Sequence, residues 1–518
     1  MPIKPFKNEP LTDFSKPANR KAMEKALAAV KAFLGKEYPL VIGAEEIRTD
    51  DKLKSINPSR PGEVVGVFSK ATPDLAKKAI EAAVAKFEEW KWSDPAKRSA
   101  FLFKAAKLMR QRKHEFSAVM IYEVGKTWPE ADADTAEAID FLEFYAREIL
   151  RYTAKQPITK IPGEKNELWY IPIGAGLVVP PWTFALAILT GMTSAAVVAG
   201  NTVVLKPSSD SPLTGWMFFN LMREVGLPAG IINFVTGSGA SVGDVLVAHP
   251  KTRFISFTGS KEVGIHINEL AAKVQPGQKW LKRVIAEMGG KDSIIIDDQT
   301  DLHAAAQATL VSAFGFQGQK CSAASRAIVV EKVYDKFLDI LKSKVDTLRT
   351  GPSDDPAYYI GPVVNKISEE KILSYIQKGI QEGGRLMCGG GKAEGEGFFI
   401  KPTVIADVDP MGTISQEEIF GPVLAVVKVK DFDQALEVAN NTEFGLTGGV
   451  WTTNRKKIDK AKKVFHVGNF YANRKITGAL VGGHPFGGFN MSGTDSKAGG
   501  RDYLLLLMQA KALSEKIQ

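Results

Sequence analysis

The sequence predicts an α/β fold built on two parallel sheets, and three observations carry that prediction. From Ile171 to about Lys273, short apolar runs alternate with amphipathic stretches of helical length. The same alternation returns between Asp292 and about Val481. Strand–helix alternation at this spacing implies β-α-β units and therefore parallel strands. Third, the chain has 518 residues, 44% of them apolar and 24% charged. That is long enough to bury large cores without disulfides or metals, and the balance excludes collagen, coiled coil and wholesale disorder.

Taken in order, the first 45 residues read as a helical lead-in, with apolar residues at helical spacing over Ala22–Leu34. Helical patterns follow at Asp74–Trp90, Pro95–Val124 and Thr135–Tyr152, then a polar, strand-like segment at Thr153–Tyr170. Ile171–Leu205 carries no charge, which has the makeup of a membrane span. Pro172, Gly174, Gly176, Pro180, Pro181, Gly191 and Gly200 break it up. It divides better into a strand (Gly176–Val179), a turn, a buried helix (Phe184–Ala199) and a second strand (Thr202–Leu205), so a soluble, non-membrane chain is expected. Beyond it the strands TVVLK, INFVTG and FISFTG alternate with the helices PLTGWMFFNLMREVG, SVGDVLVAH and KEVGIHINELAAK. The second block contributes the strands SIIID, AIVVE and VLAVVKV and a helix over Val333–Arg349. The tail from Tyr503 to Gln518 is apolar enough to pack.

Net charge is +9, from 67 basic and 58 acidic residues. Such a surface favours anionic ligands, but the longest cationic run is Arg455-Lys456-Lys457, too short for a nucleic-acid arm. Two cysteines, Cys321 and Cys388, make no disulfide framework and fit a reducing compartment. The N-terminal MPIKPFKNEP lacks the apolar run of a signal peptide, so a cytoplasmic location is expected. The six histidines are scattered without metal-ligand spacing, and no metal is expected.

Four features carry chemistry. Phe254–Phe257 feeds through Thr258-Gly259-Ser260 into a helix, and a strand entering a helix N-terminus through glycine is an anion site. Its G-x-x-x-x-G spacing, Gly259 to Gly264, differs from the usual dinucleotide fingerprint, and backbone geometry alone also explains such a glycine. Lys206 closes a strand where it can reach a ribose or phosphate; by position alone a surface lysine is the favoured reading. Cys321 stands among small residues beside Lys320, and a neighbouring cation favours the nucleophilic thiolate. Glu287, in IAEMGGKD, is a carboxylate beside exposed backbone and suits a general base. A buried structural cysteine and an ordinary exposed glutamate remain the plainer readings of these two residues.

Together PPWTFALAI, NTVVLKPS, FTGSKEVG, EMGGKD, GQKCS, QEEIFGPVL and PFGGF resemble the aldehyde dehydrogenase superfamily, in the family's order and over nearly the whole chain. FGFQGQKCSAASR and NRKITGALVGGHPFGGF narrow the resemblance to its 1-pyrroline-5-carboxylate dehydrogenase branch, which oxidises L-glutamate γ-semialdehyde to glutamate. The resemblance implies a dinucleotide-binding domain (1–150 and 171–288), a catalytic domain (289–485) and a small β oligomerisation flap (151–170 and 500–518). It implies Cys321 as nucleophile, Glu287 as the base that activates water, and NAD as cofactor. Trp182, Lys206, Ser209, Gly259, Ser260, Glu418 and Phe420 would surround the dinucleotide. Ser209 replaces a glutamate that many relatives carry there, so NADP is expected to be tolerated beside NAD. For the substrate, the resemblance implies Ser322, Gly478 and Ala479 around the α-carboxylate and Phe486 over the aliphatic chain, with Glu137 and Lys320 in the same region.

One position departs from the family. Where relatives carry an asparagine that donates to the oxyanion, this chain has Thr183, a single hydroxyl on a shorter side chain. Weakened oxyanion stabilisation, or a water bridging the gap, is expected. Two alternatives stand beside the main reading: a dehydrogenase for another carboxylated semialdehyde, and an impaired dinucleotide-binding protein. The chain ends soon after these motifs, so a proline dehydrogenase supplying the substrate is expected to be separate. The protein itself is expected to be a homo-oligomer.

Overall fold

The computed structural model describes residues 4–517. Residues 1–3 and 518, which the expected bounds of the first domain and the flap include, lie outside the described residues. Two seven-stranded sheets form the body. In the first, Arg283–Glu287, Phe254–Thr258, Ala175–Val179, Thr202–Leu205 and Ile232–Phe234 run parallel in that spatial order. Leu40–Ile42 and Glu45–Ile47 extend this sheet antiparallel at its far edge. The second contains Thr403–Ala406, Val423–Val429, Ala324–Val330, Asp292–Ile296, Thr447–Trp451 and Asn469–Ala472, all parallel, with Arg385–Cys388 antiparallel at one edge. Thr202–Leu205, Phe254–Thr258 and Asp292–Ile296 are buried along their whole length, as expected for parallel strands covered on both faces.

Several expected elements are corrected. The lead-in is helical only over Pro17–Lys31; Glu37–Tyr38, Leu40–Ile42 and Glu45–Ile47 are strands, and Leu40, Val41 and Ile42 are all buried where their strand extends the first sheet. Lys52–Asn57 and Arg60–Ser69, not anticipated as strands, pair in a three-stranded sheet with Glu37–Tyr38. The long pattern over Pro95–Val124 breaks at Arg112, whose φ and ψ of −108° and 22° leave the helical region. The break turns Lys113–Val124 inward, and every residue from Phe116 to Val124 is buried. The next helix starts earlier than expected, at Trp128, with Pro129 in its first turn, where its missing N–H costs nothing. Thr153–Tyr170 is a strand only from Glu164.

Glu164–Pro172 pairs antiparallel with Met508–Lys516, nine residues against nine, and the second strand is exposed beyond Gln509. The packing part of the tail is Tyr503–Leu507, which joins the largest apolar core. Among the described residues no helix is long and apolar enough to cross a membrane, and no group of side chains is disposed to hold a metal ion.

Candidate active site

Glu287 is the last residue of the edge strand Arg283–Glu287, so its side chain stands at the carboxyl end of a parallel sheet, where α/β folds place their ligands. Gly289 and Gly290 follow. A Cβ on Gly289 would lie 2.3 Å from a carboxylate oxygen of Glu418, whose other oxygen accepts from the Gly290 N–H at 3.0 Å. Only glycine lets these two chains approach so closely.

Cys321 is delivered by an unusual turn between the helix Leu302–Phe314 and the strand Ala324–Val330. Phe316, Gln317 and Gly318 are consecutive left-handed residues, with φ of 49°, 56° and 66°. The cost of holding two non-glycine residues there is met by the Gln317 amide, which donates to Gly125 O and Pro362 O, each at 2.9 Å.

Two voids meet at this cysteine. The narrower, about 80 Å³, has walls from Phe141, Tyr145, Phe184, Ile188, Met192, Phe486 and Tyr503, with Glu137, Glu287, Ser322, Gly478 and Ala479 as its polar lining. The wider, about 460 Å³, is a cleft lined by Trp182, Thr183, Lys206, Ser209, Gly259, Ser260, Glu418 and Phe420. Thr258, Met288 and Cys321 are common to both. Every residue expected around the dinucleotide therefore lines the cleft, and every residue expected around the substrate except Lys320 lines the narrow cavity. Thr183 lines the cleft and not the cavity.

The cleft suits an anionic ligand. Lys206 is buried, its ammonium meets only the carbonyls of Pro207 and Gly237 at 3.2 and 3.3 Å, and burial lowers it to about 8. Ser260 caps the helix Lys261–Ala272, whose free N–H groups open beside it. Phe420, itself left-handed at φ 63°, stands edge-on to Trp182 at 5.7 Å. Burial raises Glu418 to about 7.

In the cavity, burial raises both Glu137 and Glu287 to about 8. Glu287 is held by a short hydrogen bond from the Ser496 hydroxyl and by the Gly488 N–H at 3.3 Å. Ser496 is a partner that sequence reasoning missed. The expectation that Lys320 favours a Cys321 thiolate is overturned. The Lys320 ammonium is engaged by Glu130, 2.7 Å away, and lines neither void. Burial, together with the carboxylates of Asp292, Glu418 and Glu287, instead raises the Cys321 thiol. Tyr145 and Phe141 were also missed, although Glu137, Phe141 and Tyr145 recur every four residues on the helix Trp128–Thr153 and so share one face.

Comparison with known proteins is consistent along the chain. Residues 46–513 match the aldehyde dehydrogenase family. A 1-pyrroline-5-carboxylate dehydrogenase of Geobacillus sp. (strain WCH70) is 57% identical over 513 residues, covering 99% of each chain. 1-Pyrroline-5-carboxylate dehydrogenase 2 of Bacillus subtilis (strain 168) is 57% identical over 511 residues, again 99% of each. Among solved structures, a Thermus 1-pyrroline-5-carboxylate dehydrogenase with bound NAD superposes with a TM-score of 0.98 at 50% identity, covering 100% of both chains.

Proposed function

The chain belongs to the aldehyde dehydrogenase family, and from that membership we propose that it oxidises L-glutamate γ-semialdehyde, the open form of 1-pyrroline-5-carboxylate, to L-glutamate with NAD. The observation that carries this reading is the junction of the two voids: one nucleophile, Cys321, stands where a small amphipathic cavity opens onto an anion-binding cleft.

The cavity's chemistry matches an amino-acid semialdehyde. Gly478, at φ 74°, allows consecutive backbone N–H groups to converge on one anion, and with Ser322 they take the α-carboxylate. Glu137 faces the α-ammonium, and Phe184 and Phe486 enclose the aliphatic chain, leaving the aldehyde at sulfur. A charged head group left unpaired in such a site is costly, which selects a carboxylated substrate.

Cys321 sulfur bonds to the aldehyde carbon while its thiol proton passes to the aldehyde oxygen, giving a thiohemiacetal. NAD bound in the cleft accepts the hydride as this adduct becomes a thioester. Lys206, Ser209 and the N–H groups beside Ser260 hold the dinucleotide, while Glu418, Trp182 and Phe420 position its reactive end. Glu287 then takes a proton from water, whose oxygen displaces the thiol and releases glutamate. Ser496 aims the Glu287 carboxylate toward this step.

The test is formation of reduced nicotinamide when the purified protein meets pyrroline-5-carboxylate with NAD and, separately, with NADP. Steady turnover with NAD is expected. Slower turnover with NADP is also expected, since Ser209 presents no carboxylate against a 2′-phosphate. NAD binding without turnover would overturn the proposal. Thr183→Asn is expected to raise kcat by up to about 10²-fold by supplying an oxyanion donor; unchanged turnover would remove Thr183 from that role.

For organisation, we propose a dinucleotide-binding domain of 1–150 with 171–288, a catalytic domain of 289–485, and a flap of 151–170 with 500–518. The exposed ladder of Glu164–Pro172 with Met508–Lys516 supports a homo-oligomeric role for the flap. The absence of a disulfide framework supports the cytoplasm as location. Oxidation of proline is the class of reaction that supplies the substrate.

A further inference from the structure

Lys126 lies in the turn between the helices Lys113–Val124 and Trp128–Thr153, after Gly125, whose left-handed conformation ends the first of them. The side chain is fully buried, and its ammonium makes no aligned hydrogen bond. It stands 3.2 Å from Asp134 Oδ2, 4.1 Å from the centre of the Phe316 ring and 4.6 Å from that of Phe184. A buried cation is tolerated only where such partners replace water, here the Asp134 carboxylate and two ring faces, with the carboxylates of Glu130 and Glu137 close enough to feel its charge.

Those partners belong to different parts of the site. Phe184 walls the aldehyde cavity and directly follows Thr183. Phe316 opens the left-handed turn that delivers Cys321, and its ring meets Trp182 edge-on at 6.3 Å. The other oxygen of Asp134 accepts from the Ala187 N–H at 2.7 Å, fixing the start of the helix Ala187–Val198, three residues beyond Phe184. The same turn is tied to the nucleophile segment through its backbone, since Gly125 O accepts from the Gln317 amide.

We propose that Lys126, braced by Asp134, is a positioning residue that clamps Phe184 and Phe316 together and so fixes the Cys321 turn relative to the wall of the aldehyde cavity. The inference rests on the reading of Cys321 as the nucleophile of the semialdehyde reaction. A cation between two rings is directional enough to set both, whereas an apolar side chain would fill the same space without linking them. Displacing reacting groups by as little as 1 Å costs about 10²-fold in rate.

The test uses full-length protein and the double variant Lys126→Met/Asp134→Asn, which removes both charges so that neither is left buried alone. Melting temperature, NAD affinity, kcat and KM for pyrroline-5-carboxylate, and the rate of Cys321 alkylation by iodoacetamide at fixed pH are measured beside the parent. The expectation is a folded protein with parental NAD affinity, kcat lower by about 10²-fold, and an altered alkylation rate. A folded double variant with kcat and alkylation within twofold of the parent would overturn the proposal. Should the double variant not fold, Phe316→Leu, which leaves the ion pair intact, carries the same expectation at about tenfold, and parity with the parent overturns it. The alkylation readout needs no substrate. If the parent itself fails to oxidise pyrroline-5-carboxylate, the proposed function fails, while the clamp is still judged on alkylation.

Discussion

Cys321→Ala is expected to abolish turnover of pyrroline-5-carboxylate, lowering kcat by roughly 10⁴-fold or more, the scale on which enzymes lose activity with their nucleophile. NAD affinity is expected to survive, because the cleft proposed for the dinucleotide is lined by Lys206, Ser260, Glu418 and their neighbours, and Cys321 enters it at the junction. Steady-state kinetics combined with calorimetric titration of NAD separate the two effects. The matched control is Cys388→Ala. Cys388 lies on the edge strand Arg385–Cys388 and lines neither void, so its variant is expected to keep parental kinetics. Turnover persisting in Cys321→Ala would require another nucleophile and would end the thioester mechanism.

Glu287→Gln is expected to separate the two halves of the reaction. One equivalent of reduced nicotinamide per site should form in a burst, followed by a steady rate lower by about 10²–10⁴-fold, since the amide cannot take a proton from water. In the parent, burial holds Glu287 at about 8, and only the carboxylate acts as a base. Where thioester hydrolysis limits turnover, the rate should climb as pH rises through that value and be lost below it. The effect on stability runs the other way. In the unfolded chain Glu287 ionises near 4.5, so between 4.5 and about 8 the folded state keeps a proton that the unfolded state has released. The contribution is fully present below 4.5 and is lost as pH rises to about 8. Glu287→Gln should therefore melt higher than the parent at alkaline pH while being nearly inactive. A variant that turns over at the parental rate, or a burst absent from both proteins, would contradict the assignment.

The parts of this fold most legible in the sequence are those governed by burial on both sides. TVVL, FISFT and the run from Ser293 to Ile296 are apolar because no face of a central parallel strand meets water. The break at Arg112 was not legible, since an arginine in helix-compatible sequence gives no local sign that its two flanks bury different faces. The left-handed Phe316-Gln317 pair was equally hidden. It is stabilised by carbonyls of Gly125 and Pro362, far away in sequence. Lys320 failed for the same reason: adjacency to Cys321 suggested an electrostatic role, but its charge is engaged by Glu130, 190 residues earlier. Ser496 carried no signal of its own. The roles of Cys321 and Glu287 came from the resemblance, and the residues alone left them undecided.

The narrow cavity and the cleft have only Thr258, Met288 and Cys321 in common. On the proposed assignment each reactant has its own compartment, with the sulfur in the doorway. On that assignment, loss of the spent dinucleotide would not require loss of the acyl group from sulfur. An inhibitor confined to one compartment leaves affinity in the other intact. A single molecule spanning the doorway, by contrast, would draw on both compartments at once and gain the effective concentration of tethering.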